Sequence, residues 1–297
     1  MDNLRGALLM VLAMLGFALE DAVIKVLSAS LPVGQILMGI GLGGALVLGI
    51  WAMALGQVPF RLRFLTGNSG LRALLEGLAA LGFVSALALV PLSVVTTIIQ
   101  ANPLLVTLGA ALFLGETVGI RRWSAIAVGL GGVLLVLRPF GTEFDTAALF
   151  AVGGVLAMSA RDLVTRRIKR EITTIQLSIV GFLASVPAGI VALAIAGTAP
   201  VLPTTQGWLL LATAIAFGIP SIYCIIAAMR IGDVSFVAPF RYSRIVFGLS
   251  LGVLVFSEEL DALVLCGAAI IAASGLYTFW RERKQRHAPL SNTPGPV

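Results

Sequence analysis

The residues of this chain best suited to chemistry are a few ionisable and amide side chains set inside long apolar runs. Arg241 and Arg244 are spaced i, i+3 and share a helix face, with Tyr242 and Ser243 between them. Two guanidiniums there suit a carboxylate or phosphate, because the planar fork meets two oxygens at once. The alternative is an internal ion pair with an acidic residue on another helix. Thr96, Thr97, Gln100 and Asn102 form a second polar patch. It either lines a cavity or hydrogen-bonds between helices, at about 0.6 to 2 kcal/mol per contact. Glu76 stands one turn after Arg72, the spacing of a salt bridge within one helix. Pairing with Arg241 or Arg244, or exchange of a proton, is the other reading. Asp21 and Lys25, with Glu20, form one further set, and Asp162 and Arg166, with Arg161, another. They are interfacial anchors or two gates, one for each side. Glu116 and Glu258 sit at helix ends and read as caps or turn partners.

Membrane-spanning helices must position these groups. Of 297 residues, 59% are hydrophobic and 11% charged, where a soluble domain carries about 25% charged residues. A mean hydropathy of +1.04 makes a bilayer the natural solvent. The net charge of +6 does not point to nucleic acid. Its basic residues lie in short clusters between apolar runs, without the interleaved aromatics of a stacking platform. The two cysteines, Cys224 and Cys266, fall in apolar segments, and the one histidine, His287, falls in the polar tail. A histidine-based metal site or catalytic dyad within the membrane is thereby excluded. Neither a Walker motif nor an Asp-x-x-x-Asp cluster is present, so neither direct ATP drive nor lipid-diphosphate enzymology is expected, and no cofactor or metal is implied.

Apolar runs near 4–27, 34–56, 69–90, 93–114, 120–137, 146–165, 174–196, 207–229, 234–256 and 262–280 are each long enough to cross the hydrocarbon core. Within the first run the apolar stretch from Leu4 to Leu19 is followed by Glu20, Asp21 and Lys25, and the run is read as a retained helix, not a cleaved signal. With a cytoplasmic amino terminus, Arg61, Arg63, Arg121, Arg122, Arg166, Arg167, Lys169, Arg170 and the basic cluster after Arg281 face inside, against Arg138 outside. That bias places both termini in the cytoplasm. The halves also resemble each other. A shift of 141 residues sets Asp162 on Asp21, Arg166 on Lys25 and Gln176 on Gln35; a shift of 142 sets Ser235 on Ser93 and Glu258 on Glu116. Gln100 and Asn102 then fall on Tyr242 and Arg244. Five helices per repeat makes the second copy enter from the opposite side. The expected fold is an all-α integral membrane protein of ten transmembrane helices in two inverted five-helix repeats, 1–141 and 142–283, with a disordered cytoplasmic tail over 284–297.

The first half carries Ala88-Leu89-Val90-Pro91-Leu92-Ser93, Ala101-Asn102-Pro103, Leu114-Gly115-Glu116 and Arg121-Arg122-Trp123, running on to Gly129 and Gly132-Val133. The second carries Ala238-Pro239-Phe240, Val255-Phe256-Ser257-Glu258, Gly267-Ala268-Ala269 and Gly275-Leu276-Tyr277. With these motifs the chain resembles the EamA-type branch of the drug/metabolite transporter superfamily. It departs from the pattern at Ser257, where the second Gly-Glu usually has glycine, and at Met38-Gly39-Ile40-Gly41, where many relatives place an arginine. The resemblance implies secondary transport of a small polar or amphipathic metabolite across a cell inner membrane, as an exporter of an amino acid or related compound. Uptake of a nucleoside- or vitamin-like metabolite, such as S-adenosylmethionine or riboflavin, is the alternative. An integral-membrane lipid-modifying enzyme is the reading from a different class. A channel would need a charged or carbonyl filter, and no such motif is apparent. The expected partners are a small-molecule substrate and the lipid bilayer, with homo-oligomerisation left open.

Overall fold

A computed structural model describes residues 2–116, 118–139, 144–168 and 172–286. Lys169, Arg170, the Phe140-Gly141 turn and the tail from 287, with His287, lie outside the described residues. All regular elements among the described residues are helical. That is the solution a bilayer imposes, since no water is present in its core to satisfy stray amides and carbonyls. The ten spans are α1 (Asp2–Ser28), α2 (Val33–Ala54), α3 (Gly67–Leu89), α4 (Leu92–Phe113), α5 (Ile120–Leu137), α6 (Ala148–Thr165), α7 (Thr174–Ala196), α8 (Thr205–Ile231), α9 (Ala238–Phe256) and α10 (Ala262–Arg286). The last continues beyond residue 284, where the tail was expected to begin.

Two spans are interrupted in mid-membrane. α4 consists of α4a (Leu92–Ile99) and α4b (Asn102–Phe113). At the junction the amides of Gln100 and Ala101 bond three residues back, to Thr97 and Ile98. Pro103 cannot donate to the preceding turn and opens α4b instead, where its missing N–H costs nothing. α9 begins as a 3-10 turn (Ala238–Tyr242) around Pro239 and becomes α-helical only from Ser243 to Phe256.

Most of the packing is between the two halves. α1 lies against α8, α2 against α7, α3 against α6, α4 against α9 and α5 against α10. Glycines mark the closest crossings. A methyl at Gly82 of α3 would lie 2.7 Å from the Gly154 amide nitrogen of α6, and one at Gly132 of α5 would lie 3.0 Å from the Gly267 carbonyl of α10. Gly34 of α2 meets the Gly189 carbonyl of α7 in the same way. In lipid there is no hydrophobic drive to bring helices together, so close backbone approach supplies the dispersion contact that does. The connections are clasped as well. Gln35 exchanges two hydrogen bonds with the Val201 backbone (2.5 and 2.9 Å), and Gln176 donates to the Val58 carbonyl at 2.9 Å.

Ser257, the departure noted above, ends α9 at φ 52°, and Gly115 follows α4 at φ 69°. Both positions need the left-handed turn that glycine adopts freely and serine adopts under strain. The turn serves the glutamate that follows. Glu258 accepts from the amides of Leu92 (2.5 Å) and Ser93 (3.0 Å), capping α4a with a carboxylate from another span.

Candidate functional site

The spans alternate in direction, so the bundle has an amino-terminal face and a distal face. The buried charges divide between them. Towards the distal side, Arg244 of α9 holds Asp21 of α1 through contacts of 2.6, 2.9 and 3.2 Å. Asp21 is 1% exposed. The guanidinium lies over two rings, Phe17 at 5.2 Å and Phe83 at 5.6 Å, which favour a flat, weakly hydrated cation. Nearer the distal face, Lys25 donates to the carbonyls of Val90 (2.6 Å) and Leu87 (3.2 Å) and lies over Phe256. Leu27, Leu31, Val90 and Leu92 pack around these contacts with 0 to 4% exposure. The distal side is closed.

A second network occupies the amino-terminal half. Arg161 of α6 bridges Glu76 of α3 at 2.6 Å and its own neighbour Asp162 at 2.7 Å. Arg72 adds an i, i+4 contact to Glu76 at 3.2 Å, and donates to Thr165 and to the Leu177 carbonyl. Glu76 therefore does not pair with Arg244 or Arg241, as one sequence expectation allowed. α6 presents Arg161 to it first, and a carboxylate already holding two guanidiniums has no need of a third. Asp162 accepts from Asn102 of α4b at 3.0 Å, and Ser159 donates to Asn102 at 2.7 Å. Arg166 reaches Glu116 at 2.8 Å where both side chains are half exposed.

Between this network and α10 lies a pocket of about 230 Å³. Its polar wall is Asn102, Thr107, Asp162, Arg166 and Arg241, and its apolar wall is set by Phe279. Arg166 stands at the exposed rim, so the pocket opens towards the amino-terminal face. Arg241 is the singular member. Its carbonyl accepts from Gln100 Nε2 at 2.8 Å, which ties the break in α4 to the break in α9. Among the described residues its guanidinium has no hydrogen-bond or ion-pair partner. A positive fork with no hydrogen bond or direct ion pair among the described residues, in a pocket that also presents the Asp162 carboxylate and the Asn102 amide, is suited to an anionic or zwitterionic guest.

The sequence candidates thus separate. Arg241, Asn102, Asp162 and Arg166 meet at one pocket. Arg244 belongs with Asp21, while Arg241, three residues earlier, lines the pocket. Thr97 is fully buried and its hydroxyl donates to the Ser93 carbonyl of its own turn. Gln100 acts through the Arg241 backbone. Tyr242 is buried, packs edge-on to Phe279 at 6.5 Å, and leaves its hydroxyl without a partner against Gly275. Lys25 lies at the distal end, away from the pocket. Phe279, Phe17 and Phe83 emerged only from the structure, and so did the pairing of Arg161 with Glu76. Arg161 had a signal, being a basic residue inside an apolar run; the phenylalanines had none.

A model of the EamA-like transporter family matches residues 4–138 and again 145–280. The chain belongs to the EamA-like transporter family. It is 30% identical to a riboflavin transporter of Rhizobium johnstonii, over 73% of this chain and 72% of that protein. It is 28% identical to a pseudopaline exporter of Pseudomonas aeruginosa, over 91% of this chain and 94% of the exporter. One solved crystal structure superposes with a TM-score of 0.63 at 20% identity, covering 95% of this chain and 99% of its own, a likeness of fold. Membership of this family makes the protein a multi-pass membrane transporter.

Proposed function

We propose that the chain is a secondary carrier of a small amphipathic metabolite bearing a carboxylate or phosphate, working by alternating access from two inverted repeats. The observation that carries the reading is the unpartnered Arg241 guanidinium in a pocket that also presents Asp162 and Asn102. The substrate anion sits on Arg241, a donor on the substrate meets Asp162, and Phe279 covers its apolar part. An amino-acid-type zwitterion satisfies all three, and its export is the favoured direction. Uptake of a vitamin-like heteroaromatic compound is the second reading, favoured by the riboflavin transporter among the relatives and by the aromatic wall.

Several contacts support the inverted repeat. Exchanging each span of the first half with its counterpart in the second turns α1 on α8 into α6 on α3, and leaves the other three pairings unchanged. Asp21 with Arg244 has Asp162 with Asn102 as its counterpart, and Gln35 with Val201 has Gln176 with Val58. One member of each pair serves the distal side and the other the amino-terminal side.

The reading is tested by loading inverted and right-side-out membrane vesicles with labelled amino acids, riboflavin and S-adenosylmethionine. Accumulation of one class against its gradient is expected, and the vesicle orientation that accumulates gives the direction. Equilibration without accumulation under any ion gradient would indicate a channel.

We place the protein in the inner membrane with both termini cytoplasmic, on the strength of the basic residues around the amino-terminal face. A reporter fused after Arg286 is expected to read cytoplasmic, and one at Thr205 external. The reverse pattern overturns the orientation.

A further inference from the structure

One half-buried carboxylate stands outside every ion pair described above. Glu20 of α1 makes no hydrogen bond and no ion pair among the described residues. Its carboxylate lies against the backbone of α8 at Gly218. A methyl added there would meet Oε1 at 2.5 Å, Cδ at 2.8 Å and Oε2 at 2.9 Å. The relation between the two halves sharpens the contrast. A shift of 141 residues carries Glu20 onto Arg161, and a shift of 142 carries Glu76 onto Gly218. Where α6 sets Arg161 against Glu76 at 2.6 Å, α1 sets Glu20 against a residue with no side chain to answer it.

The ionisable groups around Glu20 are few. On its own helix they are Asp21 and Lys25, and Lys25 is engaged with two carbonyls. α9 brings Arg244, already committed to Asp21, and one turn earlier Tyr242 and Arg241. α3 brings Arg72 and Glu76, which are bound with Arg161. α8 brings Tyr223, which packs on Trp51, Cys224 in the cluster around Met10, and Arg230 in its last turn. α2 and α4 bring none. Asp21 and Arg244 are the charges that act on Glu20, and they already neutralise each other. An ionised Glu20 would leave one uncompensated negative charge inside the bilayer, which is costly unless water or a cation reaches it.

We propose that Glu20 is the protonation switch of the distal gate, neutral when that side is closed and ionised when it is open. In the closed-distal state described here Glu20 is the neutral acid, and Asp21 alone holds Arg244. Opening of the distal side admits water. The O–H bond of Glu20 then breaks, the electron pair stays on the carboxylate, and the proton passes to distal water. Return to the closed state requires a proton from the same water. Raising distal pH therefore favours the distal-open state, and lowering it favours the closed one. This rests on the alternating-access reading.

The test uses a reporter cysteine at Ser93, buried near the distal end of α4a, in a protein whose Cys224 and Cys266 are replaced by serine. Its labelling by an impermeant thiol reagent is followed from the distal face. Each rate is divided by that of the same reporter in Glu20→Gln, which cancels the titration of the thiol itself. The ratio is expected to rise with pH by up to about tenfold per pH unit within the range from about pH 6 to about pH 9, the slope that release of one proton on opening dictates. Glu20→Asp should keep a pH dependence with a displaced midpoint. A flat ratio overturns the proposal. Infrared spectra of wild-type protein carrying carbon-13 carboxyl glutamate supply a measurement independent of any variant. A protonated glutamate C=O stretch at neutral pH is expected, and its absence overturns the proposal. Asp21→Asn separates this idea from the one beneath it. Fast, pH-independent labelling in that variant beside a flat wild-type ratio leaves alternating access standing without the proton site. If Asp21→Asn changes nothing, Asp21 is no part of the distal gate, and a flat wild-type ratio then overturns the Glu20 proposal by itself.

Discussion

Arg244→Ala is expected to destabilise the protein by about 3–5 kcal/mol, the cost of leaving one partner of a buried ion pair uncompensated. Asp21 is 1% exposed, and Arg244 supplies all of its side-chain hydrogen bonds. Arg244→Lys keeps the charge but loses the two-point contact and the flat stacking between Phe17 and Phe83, so an intermediate loss is expected. The informative comparison is Arg244→Ala with Asp21→Asn, which removes both charges. Thermal unfolding in detergent should show most of the lost stability regained. Glu76→Gln should rescue nothing, because Glu76 is held by Arg161 and Arg72. If the doubly neutral protein is stable yet does not accumulate substrate, the pair is made and broken during transport. If it is stable and fully active, the pair is structural only. A double variant no more stable than Arg244→Ala would show that another interaction holds this region.

Arg241→Ala is expected to do the opposite, sparing stability and damaging transport. Its guanidinium has no protein partner among the described residues, so folding loses little when it is removed. The substrate loses a charge-assisted, two-point contact of about 2–3 kcal/mol. That corresponds to a KM raised roughly 30- to 150-fold. Arg241→Lys should recover part of the loss, since a point charge remains without the fork. The check is the concentration dependence of vesicle uptake for the metabolite that the accumulation assay selects, alongside thermal unfolding of the same variants. An unchanged KM with intact stability would remove Arg241 from the substrate site. A large fall in stability would mean that it neutralises the network around Asp162 instead.

The amino-acid sequence by itself determined the solvent, and with it the ten helices. Length, apolarity and the need to satisfy every backbone group inside a span leave no other element for these runs. Turn chemistry at Pro91 located the start of α4, because a fixed φ angle acts over one or two residues, whereas the breaks at Pro103 and Pro239 showed only in the structure. The likeness of the two halves was also legible, since it lies in the order of the residues. Pairing was not. Glu76 was as free, on paper, to meet Arg244 as Arg161, and Asp21 looked like an interfacial anchor. A spacing of i, i+3 put Arg241 and Arg244 on one face, yet one lines the pocket and the other meets Asp21 of α1. Which charge meets which is decided by crossings such as Gly82 with Gly154, which set how far each helix slides along its neighbour. Sliding by one residue moves a side chain about 1.5 Å along the axis and about 100° around it, enough to exchange one partner for another. Only the packed bundle settles that register, and so only the packed bundle shows that Glu20 and Arg241 have no hydrogen bond or direct ion pair from their side chains among the described residues.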